Sequence, residues 1–212
     1  MIKQIHTIMV VTCLAFMINI QSLSANDEGL YDPMPPEVSA FVRLITHPDY
    51  TGDMNVTLNA KTYVISDKSS FTDYYVVPKG AVSLQAGLLD FTVDEGALYS
   101  VFLMPTGAKA IKDPGHENMK KAQIIAYNLS SHAEINLKTA NGKVDIIKDL
   151  KHLNVDMRAI NPVKIQTALF VGDTKITSLP DLSMERGRSY SIAIFNDGQN
   201  ISWVENKTNT RH

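Results

Sequence analysis

From Ser39 onward the chain alternates between apolar and polar positions with a period of two. "SAFVRLI" opens the pattern at residues 39–45, and it resumes in "MNVTLNAKTYVI", "TDYYVV", "AVSLQAGLLDFTV" and "ALYSVFLM". Short β-branched and aromatic runs divided by turn residues such as Pro78-Lys79-Gly80 and Asp94-Glu95-Gly96 predict strands of an antiparallel sandwich. No stretch keeps a helical period over three turns.

After Met104 a polar segment, "PTGAKAIKDPGHENMKK", interrupts the alternation, which then returns in "AQIIAYNL", "AEINLKT", "KVDIIKD", "VDMRAI", "VKIQTALFVG" and "SYSIAIF". The second series follows the order of the first. "AFVRLI" answers to "AQIIAY", "YVVPKGAVSLQAG" to "RAINPVKIQTALFVG", and "DEGALYSVFLM" to "ERGRSYSIAIF", at an offset of about 82 residues that grows in the last loop. A pattern repeated once predicts a tandem duplication in which each copy has its own core. The expected fold is all-β: two tandem antiparallel β-sandwich modules, residues 38–106 and 120–205, joined by a short linker at 107–119. A proline-containing extended lead-in (26–37) precedes them and a tail (206–212) follows.

The second copy contains the clearest turn in the chain. "INLKT" and "KVDII" flank Ala140-Asn141-Gly142. Asn-Gly between alternating runs predicts a β-hairpin with a tight primed turn, which requires positive φ at both residues.

Residues 1–25 stand outside this pattern. Lys3 precedes the apolar core "TIMVVTCLAFMINI", and the small residues Ser22, Ser24 and Ala25 follow, the order of a secretory signal with cleavage near Ala25. Export to a bacterial periplasm is the expectation. Cys13, the single cysteine, lies inside the signal, so the exported chain has neither a disulfide nor a thiol nucleophile. Cleavage removes one lysine and no acid, leaving 19 basic against 22 acidic residues, a net charge of −3. That balance gives no general attraction to nucleic acid, and an anionic polymer would have to be held by a local basic patch.

Reactive side chains form none of the usual signatures: there is no HExxH, GxSxG, P-loop or metal-ligand spacing. No catalytic residue, cofactor or metal is assigned. The mature histidines, His47, His116, His132, His152 and His212, fall in predicted loops or at the terminus. "DLKH" (Asp149 to His152) has the Asp-x-x-His spacing of SGNH-type acetyltransferases, and "GDT" (Gly172 to Thr174) is near their Gly-Asp-Ser block. The order is reversed, however, Thr replaces Ser, and no helix follows, so the match is read as coincidence. Asp94-Glu95 is read as a solvated turn. Trp203, the sole tryptophan, is read as an anchor for the tail, with stacking on a sugar ring as the alternative.

"LYDPMPPEVSAFVRL" resembles the mature N-terminus of the AlgF family, periplasmic accessory proteins of alginate O-acetylation. The similarity continues through "KDP", "NLSSHAEINLKTANGKVDII", "INPVK", "ALF" and "RG". It covers essentially the whole mature chain and is strongest in the second module. The resemblance implies work alongside a membrane-bound O-acetyltransferase and periplasmic SGNH-type acetyltransferases, which place acetyl groups on O2 and O3 of mannuronate. It supplies no catalytic motif. Three functions stay open: a non-catalytic adaptor joining acetyltransferase components, a module that presents mannuronan to them, and an acetyltransferase with an unrecognised site. The candidate partner or polymer surface comprises Arg43 and Tyr127, in near-equivalent first strands at the seam or its exposed edge, with Lys138, Lys143, Arg158 and Lys164 of the second module.

Overall fold

A strand that is apolar at both parities must be covered on both faces, and four such strands organise this protein. They are β1 (Ser39–Thr46), β7 (Leu98–Met104), β9 (Ala122–Ser130) and β17 (Arg188–Asn196). The computed structural model describes residues 38–207 apart from 66, 67, 69, 70, 86, 87, 197 and 199; side chains at 200, 202, 203 and 205–207 are also outside the description. The expected signal, lead-in and terminal tail from 208 onward, and the role of the Trp203 side chain, therefore lie outside the described residues.

Each sequence copy folds as two facing four-stranded sheets. In the first module the inner sheet has the order β4-β1-β7-β8, with β4 Tyr75–Pro78 and β8 Gly107–Lys112. Its outer sheet has the order β3-β2-β5-β6: β2 Asn55–Leu58, β3 Lys61–Val64, β5 Gly80–Leu84 and β6 Leu89–Val93. The second module repeats this. Its inner sheet is β12-β9-β17-β18, with β12 Val155–Ile160 and β18 Asn200–Lys207. Its outer sheet is β11-β10-β14-β15: β10 Glu134–Thr139, β11 Asp145–Lys151, β14 Thr167–Val171 and β15 Thr174–Ser178. Among the described residues, a short ribbon, β13 (Lys164–Ile165) with β16 (Leu182–Ser183), occurs only in the second copy. The pairing β1–β7 is parallel, and so is its counterpart β9–β17. The duplication read from the sequence thus recurs strand for strand in the topology, and no helix occurs among the described residues.

Side-chain parity explains the packing. Ala40, Val42 and Leu44 on β1 and Tyr99, Val101 and Leu103 on β7 face the core of the first sandwich. Ala122, Ile124 and Ala126 on β9 and Tyr190, Ile192 and Ile194 on β17 face that of the second. The opposite parities, Ile45, Phe102, Ile125, Tyr127, Leu129, Ala193 and Phe195, form a third core where the two inner sheets meet. Burial of a large apolar side chain contributes about 1.5–3 kcal/mol, so this seam contributes on the scale of a small domain's own core.

The boundaries differ from expectation at the linker. Gly107–Lys112 form β8, paired along its length with β7, so the first module runs six residues further than the sequence pattern indicated. "GAKAIK" lacks the β-branched density that marks a strand, and its pairing to an apolar neighbour decides its conformation.

The Asn-Gly hairpin exists, but its turn is not the primed type. Gly142 alone has positive φ (72°) in the turn. Its N–H donates to the Thr139 carbonyl at 2.7 Å, and the Thr139 N–H donates to the Val144 carbonyl at 2.9 Å. The turn is therefore right-handed through Asn141 and then closed by a left-handed glycine, a standard alternative for longer hairpin loops. The Asn141 side chain selects it, accepting from the Lys143 N–H (3.1 Å) and the Thr139 hydroxyl (2.8 Å). A Cβ at Gly142 would also lie 3.3 Å from Cζ of Phe170. Gly142→Val is thus expected to lower stability by about 1–3 kcal/mol, read as a fall in the urea midpoint. Gly115→Ala, where φ is ordinary and nothing lies within 4 Å, should be near neutral; equal effects would contradict the strain assignment.

Candidate functional site

Apart from Ser39, Gln123 and Ser189 near the strand starts, each doubly buried strand carries one polar interruption on its seam face: Arg43 on β1, Ser100 on β7, Tyr127 on β9 and Ser191 on β17. They converge. Arg43 Nε donates to Ser100 Oγ at 2.7 Å, and Nη2 donates to the Tyr127 hydroxyl and to Ser191 Oγ, both at 2.9 Å. Asp113, directly after β8, accepts from the Tyr127 hydroxyl (2.7 Å), Ser100 Oγ (2.8 Å) and the Tyr74 hydroxyl (2.6 Å). Its carboxylate lies 3.7 Å from the guanidinium. The Phe71 and Tyr74 rings stack on Arg43 at 4.4 and 4.7 Å from their centroids.

The electrostatics follow from burial. Desolvation alone pulls the Arg43 pKa down, but the oxygens of Tyr127, Tyr74 and Asp113 outweigh it and the net direction is up. Desolvation pushes the Tyr127 and Tyr74 hydroxyls well above the ordinary phenol range, against the opposing pull of Arg43. The guanidinium therefore stays charged and the two phenols stay neutral. The Arg43 and Asp113 side chains are 0% and 1% exposed. Serine hydroxyls, a phenol, an arginine and an aspartate are the components of a catalytic site, but here they bond to one another and are sealed.

This corrects the expected surface at two positions. Arg43 and Tyr127 lie at the seam but are buried within it, with no face for a partner or polymer. The reason is the double coverage of β1 and β9. The cluster also fixes the linker, because Asp113 is its first residue. Further along, His116 Nε2 lies within 3.2 Å of the Asn118 and Lys121 carbonyls, while Nδ1 is 3.2 Å from Ser189 Oγ. His47, in the loop after β1 as expected, is 8% exposed and meets the Phe195 ring edge-on across the seam.

The four remaining candidates are accessible to different degrees and lie on different elements. Lys138 on β10 pairs with Asp145 (3.4 Å), sits 5.4 Å over the Phe170 ring and is 16% exposed. Lys143 is exposed in the hairpin turn just beyond it. Arg158 is exposed on the edge strand β12, opposite Ile124. Lys164 belongs to the β13–β16 ribbon and pairs with Asp181 at 3.4 Å. Only Lys138 and Lys143 share one structural unit. Lys175, absent from the sequence-based set, joins them: its Nζ donates to the Ala140 carbonyl at 3.4 Å.

Asp149, His152 and Thr174 are not assembled. Asp149 and His152 lie on and just after β11, and Thr174 on β15, with two strands between them. Three strand spacings put them about 14 Å apart. Asp149 has a structural explanation instead. Two β11 residues oppose Asn136, forming a bulge in which Asp149 takes φ 54° and donates its N–H to Asn136 Oδ1 at 2.8 Å. Among the described residues no group of three His, Cys, Asp or Glu side chains is placed to hold a metal. Asp94, in the β6–β7 turn, pairs with Lys112 at 2.7 Å, and Glu95 with Lys79 at 3.3 Å.

Removing Arg43 would strand a buried carboxylate and three hydroxyls. Arg43→Ala is expected to cost about 3–5 kcal/mol, and Ser191→Ala, which deletes one acceptor, on the order of 1.5 kcal/mol. Chemical denaturation checks both; a cost for Arg43→Ala no larger than that of an exposed lysine would contradict the assignment.

A sequence profile of the family described as Alginate O-acetyl transferase AlgF matches residues 14–191. Alginate biosynthesis protein AlgF of Pseudomonas aeruginosa is 31% identical over 207 residues, covering 94% of both chains. Its namesake in Pseudomonas fluorescens is 30% identical over 205 residues, covering 93% of both. Solved structures of the C-terminal domain of AlgF from P. aeruginosa align with 41% of this chain and 96% of that one, at 35% identity and a TM-score of 0.35. With the profile spanning most of the sequence and relatives aligned nearly end to end, the chain belongs to the AlgF family.

Proposed function

We propose that this protein is an exported, periplasmic and non-catalytic accessory subunit of alginate O-acetylation. In this reading it holds together the acetyltransferases that modify O2 and O3 of mannuronate. The observation that carries it is the sealed seam. Two sandwiches are locked into one body by apolar side chains and by the Arg43–Asp113 cluster, and a rigid two-module body suits a part that fixes distances between other proteins. The hydroxyl, guanidinium and carboxylate groups that could have served an acyl transfer are committed to that lock. Relatives named for alginate biosynthesis support the process. The family description includes the word transferase; here we assign the transfer chemistry to partner subunits. A periplasmic location rests on the signal-like residues 1–25.

A second reading, presentation of the polymer, is favoured by the lysines gathered at the β10–β11 hairpin. The two readings are compatible.

Capture of this protein from detergent-solubilised envelopes should bring down a membrane-bound O-acetyltransferase or SGNH-type acetyltransferases. Recovery of neither would contradict the adaptor role. Alanine at Asp149, His152 or Thr174 is expected to leave polymer acetylation within about twofold of wild type, with a stability cost on the order of 1 kcal/mol at Asp149 alone, whose φ of 54° alanine tolerates less well. A large loss of acetyl content in a variant that still accumulates would restore an enzymatic role.

A further inference from the structure

Asn141-Gly142 is the only Asn-Gly pair in the chain, and such a pair carries chemistry of its own. The backbone nitrogen that follows an asparagine can attack the side-chain Cγ and expel ammonia, closing a five-membered succinimide. Water then opens that ring at either carbonyl. One product is aspartate. The other is isoaspartate, whose main chain runs through the β-carbon and is longer by a methylene. Glycine in second place has no Cβ to hinder the attack, so a flexible Asn-Gly segment is especially prone to it. Asn141 is exposed to the water that the reaction consumes.

The folded hairpin opposes each requirement of that ring closure. The Gly142 N–H donates to the Thr139 carbonyl at 2.7 Å, and neither Ala140 nor Asn141 has positive φ. The turn is therefore type I with Asn141 in its third position, where ψ is about 0°. At that ψ the Gly142 nitrogen eclipses the Asn141 nitrogen, whereas the ring closes only when it eclipses Cβ, roughly a third of a turn away. The attacking nitrogen is itself committed to the Thr139 carbonyl. The carboxamide is held too, because Oδ1 accepts from the Thr139 hydroxyl at 2.8 Å and from the Lys143 N–H at 3.1 Å. Those donors would polarise the amide in a productive geometry; here they fix it in an unproductive one.

We propose that Asn141 is a latent deamidation site gated by the hairpin: the closed turn keeps the amide intact, and local opening of residues 139–144 releases it to cyclise. The two products differ in consequence. Aspartate at 141 restores both side-chain bonds, because a carboxylate oxygen accepts as the amide oxygen does. Isoaspartate does not, since its extra methylene displaces Gly142 from the Thr139 carbonyl and from Phe170, which lies against it. A chain whose hairpin has opened for long enough thus keeps a broken β10–β11 corner, a chemical change that refolding does not reverse.

The test incubates the mature full-length protein beside a synthetic peptide of residues 136–147 in mildly alkaline buffer. Mass spectrometry of proteolytic fragments follows the loss of ammonia at residue 141. The folded protein should deamidate at least about tenfold more slowly than the peptide, because only the opened fraction reacts. Thr139→Val keeps the β-branch but removes a hydroxyl that holds Oδ1, and should raise the folded-state rate about threefold or more. In urea the variant and wild type should react alike. Asn141→Asp should melt as wild type does, whereas the isoaspartate fraction, isolated by ion exchange, should melt lower. A folded-state rate equal to that of the peptide would overturn the proposal, and this comparison stands whether or not the variant folds. So would a folded Thr139→Val protein with no acceleration, or an isoaspartate fraction as stable as wild type.

Discussion

The structure depends on one buried charge. Arg43 sits where two sheets meet face to face, in a layer that is mostly apolar, and a guanidinium there is tolerable only with hydrogen-bonding partners. The tandem fold supplies partners from three strands and the junction at once: Ser100 from the same module, Tyr127 and Ser191 from the other, and Asp113 at the junction between them. The cluster therefore does what apolar packing alone cannot. Apolar faces could slide past one another, whereas a guanidinium bonded to three named hydroxyls sets a single register between the sandwiches.

That arrangement also explains which parts of the fold were legible beforehand. Alternation identified nearly all the apolar strands, and the order of landmarks identified the duplication, because each depends on local pattern. β8, β15 and β18 escaped. "GAKAIK" and "TKITS" are sheet-edge strands of modest apolar content that form because a stronger neighbour pairs with them. The primed turn was misread because Asn-Gly permits it without requiring it, and the Asn141 side chain stabilised another closure.

The site was less legible for a related reason. An arginine in "AFVRLI" looks like surface when a strand is assumed to have one dry face. The discriminating signal was present: "AFVRLI", "LYSVFLM", "IIAYNL" and "SYSIAIF" are apolar at both parities, and polar residues interrupt each at the seam parity, Arg43, Ser100, Tyr127 and Ser191 among them. Those interruptions can be matched only when the two inner sheets are known to pack together. Lys175 was invisible for the opposite reason. It lies 32 positions beyond Lys143, and the sheet order alone brings it to the hairpin.

The two-sandwich body turns its guanidinium, phenol and carboxylate groups into the seam, where they set its geometry. Native-state hydrogen exchange on the full chain tests the central claim, that the seam makes both modules one cooperative unit. Amides of β1, β7, β9 and β17 are expected to exchange through a single global opening with a common free energy. If β9 and β17 opened with a free energy distinct from that of β1 and β7, the two sandwiches would be independent domains and the seam would not be what unites them.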